Sequence, residues 1–123
     1  MLEEAAHQHA RVARERRFGA VAVMHVEIDD GHAFQAIDIM WLPRLHEFKP
    51  EMVFVSAGFD AHREDDLGNM GLVEDDFAWI TDQIREIAGR YAKGRIVSCL
   101  EGGYNLSALG RSVVAHLRVL ADI

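Results

Sequence analysis

Short apolar runs alternate along the chain with longer stretches in which apolar residues recur at helical spacing. Runs rich in β-branched residues predict strands over residues 20–28, 52–57 and 95–100. Apolar positions separated by three and four residues predict helices over residues 33–48, 74–91 and 106–120. This order is typical of an α/β protein, and right-handed crossovers make the strands at 52–57 and 95–100 parallel.

The ends of these elements carry local signals. Pro50 ends the first helix, Gly94 ends the second and Asn105 caps the third. Val73 precedes the second helix and has no side-chain acceptor, so we expect that helix to lack a side-chain N-cap, at a cost of about 1 kcal/mol. The run 52–57 is continuously apolar, which predicts a strand covered by helices on both faces.

Composition narrows the class of protein. Half of the 123 residues are apolar, enough for the core of one domain, and residues 1–18 form a polar N-terminal segment for which we expect a marginal helix. A net charge of −7 argues against binding to nucleic acid. No apolar run approaches eighteen residues, so no membrane span is predicted. Cys99 is a lone cysteine, for which we expect a buried strand thiol and a reducing cytoplasm.

Two segments that follow predicted strands hold the candidate chemistry. Residues 56–62 read Ser-Ala-Gly-Phe-Asp-Ala-His, and residues 100–106 read Leu-Glu-Gly-Gly-Tyr-Asn-Leu. Ligands of open α/β sheets bind beyond the carboxyl ends of the parallel strands. We therefore expect the Asp60 carboxylate and the Tyr104 phenol to face one reacting centre.

These segments resemble the C-terminal catalytic segments of zinc-dependent histone deacetylases, acetoin-utilisation-type deacetylases and acetylpolyamine amidohydrolases. Residues 48–55, 66–68 and 106–120 share the resemblance, which extends from about Val26 to Ile123. It implies a partial arginase/deacetylase-type fold, in which strands of a parallel sheet alternate with helices. Residues 19–123 would then be the C-terminal part of a histone-deacetylase-like domain.

The resemblance also implies roles for individual residues. Asp60 would be a zinc ligand, and Tyr104 would donate a hydrogen bond to the substrate carbonyl and stabilise the oxyanion. Gly102 and Gly103 would let the backbone line a narrow tunnel for an acyl-lysine or acyl-polyamine substrate. Glu101 would mark the bacterial and class II branch of the family rather than take part in the reaction.

The chain departs from the family pattern in its other metal ligands. It has no adjacent His-His pair, and Asp30-Gly31-His32 has ligand-like spacing but lies at a different place from the Asp-x-His ligands of the family. One carboxylate cannot hold a catalytic zinc ion. We therefore expect roughly the C-terminal third of a deacetylase domain, inactive without a missing N-terminal portion.

The sequence also leaves two non-enzymatic alternatives. The first is a non-catalytic module derived from the same fold, which pairs with a partner chain or self-associates to cover its sheet edge. The second is a small flavodoxin-like binding domain, which the lack of any phosphate-binding loop disfavours.

For the remaining histidines, acids and tryptophans we expect structural or surface roles. For His62 we expect a solvated or ligand-supporting role, and for Asp66 a role in capping backbone amides of its loop. The acids beside Asp66 are expected to be solvated. Structural roles are expected for His25, His46 and His116, surface positions for His7 and His9, and core positions for Trp41 and Trp79.

Overall fold

A computed structural model of the chain describes residues 12–15, 19–24, 37–68 and 70–123. It has strands β1 (Val12–Glu15), β2 (Gly19–Met24), β3 (Met52–Gly58) and β4 (Ile96–Gly102), and helices α1 (Leu42–Phe48), α2 (Glu74–Tyr91) and α3 (Leu106–Ala121). A π-helical turn (Ile37–Trp41) leads into α1. None of the described helices is long and apolar enough to cross a membrane.

The described strands form one sheet in the order β1-β2-β3-β4. β2, β3 and β4 are parallel, as the strand and helix order predicts, whereas β1 pairs with β2 in the antiparallel sense. The expected helix over residues 1–18 is therefore wrong at 12–15, where pairing with β2 satisfies the backbone of a segment too polar to form a stable helix. The rest of that expected helix lies outside the described residues, as do residues 25–28 of the predicted first strand.

One face of β3 forms the centre of the core. Val53, Val55 and Ala57 are buried there, and the alternate side chains of the strand are half-buried. Core side chains of the π-helical turn, α1 and α2 cover this face, including Trp41, Leu45, Phe77, Ile80, Ile84 and Ile87. The side chains of the other face are half-buried in the part of the chain that the structure describes, so helical cover of that second face stays a prediction.

The helix ends follow the predicted signals closely. α1 ends before Pro50, with Lys49 in the left-handed region at φ 51°. Asn105 caps α3 by accepting a hydrogen bond from the Ala108 N–H at 3.0 Å. α2 has no side-chain acceptor at Val73, but the carboxylate of Asp76 accepts the Val73 N–H at 2.7 Å, which satisfies that end from within the first turn.

The lone cysteine is exposed, not buried as expected. β4 is the last strand of the described sheet, and Val97, Cys99 and Leu100 all reach solvent. An apolar run at a sheet edge looks the same in sequence as one at the centre, which explains the error. Trp41 lies in the core as predicted, and Trp79 packs partly buried against it.

Candidate functional site

A cavity of about 390 Å³ opens where β3 and β4 end. Asp60 follows β3 and Tyr104 follows β4, and both line this cavity, together with Glu101 and Gly102. Parallel pairing of Ala57 with Leu100 brings the two strand ends to one edge of the sheet. The structure thus brings together the carboxylate and the phenol that the sequence places at separate strand ends.

Asp60 holds its carboxylate against the backbone of the neighbouring strand. A Cβ at Gly102 would lie 2.9 Å from Asp60 Oδ1, and one at Gly58 would lie 3.0 Å from the same atom. No described residue donates a hydrogen bond to this half-buried carboxylate. Its oxygens can therefore bind a cation or accept a hydrogen bond at the cavity wall.

Gly103 is fixed as glycine by its own conformation and surroundings. Its φ is 130°, and a Cβ there would lie 2.7 Å from Leu109 Cδ1. A side chain at position 102 would thus have to displace the Asp60 carboxylate, and one at position 103 would be strained by the backbone conformation itself. The role of Gly102 and Gly103 in a substrate tunnel stays a prediction.

The loop after β3 is organised by Asp65, not by Asp66 as expected. Asp65 is 3% exposed, and its Oδ1 accepts the Leu67 N–H at 3.0 Å. Its Oδ2 accepts the Tyr104 N–H at 2.7 Å and the Asn105 N–H at 3.0 Å. These amides lower the pKa of the Asp65 carboxyl, because they stabilise its charged form. Asp66 points to solvent.

His62 is 1% exposed beneath the same loop, which excludes the solvated alternative expected for it, while the ligand-supporting alternative stays a prediction. Its Nδ1 accepts the Glu64 N–H at 3.1 Å, so in the neutral ring Nε2 carries the proton and donates to Glu74 at 3.3 Å. Arg111 also pairs with Glu74 and Glu64, joining the loop to α2 and α3. Arg111 is the main reason that the pKa of Glu74 is lowered to about 2.

His116 lies at the inner wall of the cavity. Thr81 donates its hydroxyl proton to the Phe77 carbonyl at 2.6 Å, so the Thr81 oxygen accepts from His116 Nδ1 at 2.7 Å. His116 Nε2 is then the acceptor for the Ser98 hydroxyl at 2.9 Å. Both ring nitrogens are satisfied within the protein, and burial lowers the pKa of the imidazole. The structural role expected for His116 agrees with these contacts.

The other histidine with described contacts is also structural. His46 Nδ1 lies 2.8 Å from the Tyr91 hydroxyl, between α1 and α2. His7, His9, His25, Asp30 and His32 lie outside the described residues. Within the described ranges, no group of three or more His, Cys, Asp or Glu side chains is arranged to hold a metal ion.

Sequence reasoning missed the importance of Asp65. The sequence predicts one solvated acidic loop with a single capping carboxylate at Asp66, whereas the structure gives the capping role to Asp65. The local signal is a run of three acids at residues 64–66 before Leu67-Gly68, and this run does not indicate which side chain turns inward.

Comparison with known proteins places these features in a family context. Residues 6–120 match the family model of the histone deacetylase domain. The chain is 44% identical over 81 residues to Type-2 histone deacetylase 1 of Dictyostelium discoideum, covering 66% of this chain and 5% of that protein. It is 42% identical over 71 residues to the histone deacetylase-like amidohydrolase of Pseudomonas aeruginosa, covering 58% and 19%.

A solved structure gives a similar result. The crystal structure of the HDA15 HD domain superimposes with a TM-score of 0.66 at 32% identity, covering 72% of this chain and 24% of that one. The chain therefore spans a small part of the proteins that it matches.

Proposed function

Because this chain belongs to the histone deacetylase family, with the arginase/deacetylase type of α/β fold, we propose that it forms the C-terminal part of a zinc-dependent deacylase site. Its reaction would be hydrolysis of acetyl or similar acyl amides of lysine or polyamines. The chain would not catalyse this reaction alone. The observation that carries the proposal is the presence of Asp60 and Tyr104 on one cavity at the ends of adjacent parallel strands.

The described residues do not by themselves fit a zinc ion. Catalytic zinc sites use three protein ligands, and this part of the chain offers the Asp60 carboxylate without two further ligands near it. The remaining zinc ligands, and the base that activates water, would come from polypeptide outside the described residues. Asp60 contributes an anionic oxygen donor at the cavity wall.

Tyr104 supplies the hydrogen-bond donor of the proposed site. Its phenol would donate to the carbonyl oxygen of the acyl amide, and more strongly to the oxyanion that forms when water adds to the carbonyl carbon. Removal of one such donor typically costs about 2.7–4 kcal/mol of transition-state stabilisation. The residue is 59% exposed, so substrate can reach its phenol from the cavity mouth.

A non-catalytic association module is a second candidate, favoured by one observation. Leu100 is 61% exposed on β4, the last strand of the described sheet, with Val97 and Cys99 also reaching solvent. Exposed apolar residues along an edge strand promote pairing with another chain.

A chimera tests the catalytic proposal. Residues 48–121 would replace the corresponding segment of the P. aeruginosa amidohydrolase, which carries the rest of the domain. We expect the chimera to bind zinc and to hydrolyse a fluorogenic acetyl-lysine substrate. Asp60→Asn should weaken zinc binding, and Tyr104→Phe should leave zinc bound while kcat falls by about 100-fold or more.

Controls separate the two candidates. Tyr91→Phe removes the same hydroxyl from a tyrosine that does not line the cavity, and should leave kcat nearly unchanged. The isolated chain should show no deacylase activity with added zinc. A folded chimera in which Asp60→Asn and Tyr104→Phe change neither zinc content nor kcat would refute the catalytic proposal. A stable dimer of the isolated chain, measured by analytical ultracentrifugation, would then favour the association module.

A further inference from the structure

Tyr104 lies just beyond the end of β4, at the start of the segment that leads into α3. The residue is 59% exposed, and it follows Gly102 and Gly103, which lack side chains that could pack. Glycine also gives the unfolded backbone more freedom than any other residue. Because more than half of the residue is exposed, contacts of its backbone take on a large part in fixing where the phenol lies.

Those backbone contacts come from one side chain. Asp65 Oδ2 accepts both the Tyr104 N–H at 2.7 Å and the Asn105 N–H at 3.0 Å, across 39 and 40 residues of sequence. Its Oδ1 accepts the Leu67 N–H and so fixes the carboxylate in its own loop. Hydrogen bonds from backbone amides to an ionised, buried carboxylate are among the stronger ones in proteins.

The loop that carries Asp65 is itself anchored. The buried His62 ring accepts the Glu64 N–H, and Asn105 Nδ2 donates to the Glu64 carbonyl at 3.0 Å. The loop and the start of α3 are thus joined at both Glu64 and Asp65. A displacement of the Asp65 carboxylate would be passed to the Tyr104 backbone directly.

We propose that Asp65 is a positioning residue that holds the Tyr104 backbone, and through it the phenol, at the mouth of the cavity. The catalytic consequence rests on the proposed deacylase function, whereas the structural claim does not. Asp65→Asn is the sharpest probe, because it keeps the shape of the side chain and replaces one acceptor oxygen by an amide donor. Asp66→Asn is the matched control, since it makes the same change of charge at the exposed neighbour.

The first test uses the full chain and needs no activity. The chain has two tyrosines, so 3-fluorotyrosine labelling gives two ¹⁹F resonances, assigned with Tyr104→Phe. We expect Asp65→Asn to shift or broaden the Tyr104 resonance and to leave the Tyr91 resonance in place, while Asp66→Asn changes neither. An unchanged Tyr104 resonance in folded Asp65→Asn would overturn the proposal.

A second measurement does not depend on the variant folding. In the unmodified, isotope-labelled chain, a scalar coupling across the hydrogen bond should connect the Tyr104 amide nitrogen to Asp65 Cγ. Hydrogen exchange of the Tyr104 amide should also be slower than that of an amide exposed to solvent. Rapid exchange of that amide together with absence of the coupling would overturn the proposal.

The catalytic consequence is measured in the chimera described above. Asp65→Asn should lower kcat by about 10-fold or more, since small displacements of catalytic groups are costly, with a much smaller change in KM and no loss of zinc. In the double variant with Tyr104→Phe, the further loss due to Asp65→Asn should largely disappear. Equal losses with and without the Tyr104 hydroxyl would show that Asp65 does not act through it. If the ¹⁹F result holds but no chimera is active, the proposed function fails and the positioning role stands.

Discussion

Gly68 is the position where the smallest side chain should do the greatest damage. It lies in the loop after β3, and a Cβ built on it would lie 1.8 Å from the Asp60 carbonyl oxygen and 2.4 Å from the Asp60 carbonyl carbon. Real Cβ atoms essentially never approach another heavy atom within 3.0 Å, so Gly68→Ala must open this contact by at least 1.2 Å. Both atoms are backbone, and no side-chain rotation can relieve the overlap.

The cost follows from what that movement breaks. The Leu72 N–H donates to the Ala61 carbonyl at 3.1 Å, next to the peptide that has to move, and a shift of this size would lengthen that bond beyond useful range. Overpacking typically costs about 1–3 kcal/mol, and a lost hydrogen bond about 1 kcal/mol. We therefore expect Gly68→Ala to lower the free energy of unfolding by about 2–4 kcal/mol.

Urea unfolding followed by circular dichroism measures this cost. With a slope of about 2 kcal/mol per M, the midpoint should fall by about 1–2 M. Gly71→Ala is the control, because no heavy atom lies within 4 Å of the Cβ it would add. A loss of less than about 1 kcal/mol in Gly68→Ala, or one no larger than that of Gly71→Ala, would refute the close approach of the loop to Asp60.

Three further predictions concern α3 and its contacts. Asn105→Ala should destabilise the chain by about 1 kcal/mol through loss of the N-cap, and Asn105→Asp should restore most of it, as measured by thermal unfolding. Gly110→Ala should stabilise the chain by about 0.5–1 kcal/mol, because the residue lies inside α3 with open space around it. Burial lowers the pKa of His116 in the folded state, so the unfolded chain takes up a proton there more readily than the folded one. The contribution of the neutral imidazole to the free energy of unfolding is therefore fully present above the ordinary histidine pKa of 6.5 and is lost as the pH falls below it. The difference in unfolding free energy between the unmodified chain and His116→Gln should therefore shrink from pH 7.5 to pH 5, and a constant difference would contradict this assignment.

Much of the fold follows from local pattern. β3, β4, α2 and α3 lie where periodicity and caps place them, because a spacing of 3.6 residues, a continuous apolar run and an N-cap asparagine each act within a few residues of sequence. The parallel pairing of β3 and β4 also follows, since the handedness of the crossover leaves one choice. The common cavity of Asp60 and Tyr104 is a consequence of that pairing.

Sequence by itself thus determined β3, β4, α2 and α3, their order and the two side chains at the cavity, because each is encoded by neighbours along the chain. The tertiary structure alone decided that Asp65 rather than Asp66 turns inward, that Cys99 faces solvent, and that residues 12–15 form a strand. These outcomes depend on partners that are distant in sequence or on the position of a strand within the sheet. A loop carboxylate has no periodicity to reveal its direction, and the amides that select Asp65 lie up to 40 residues away.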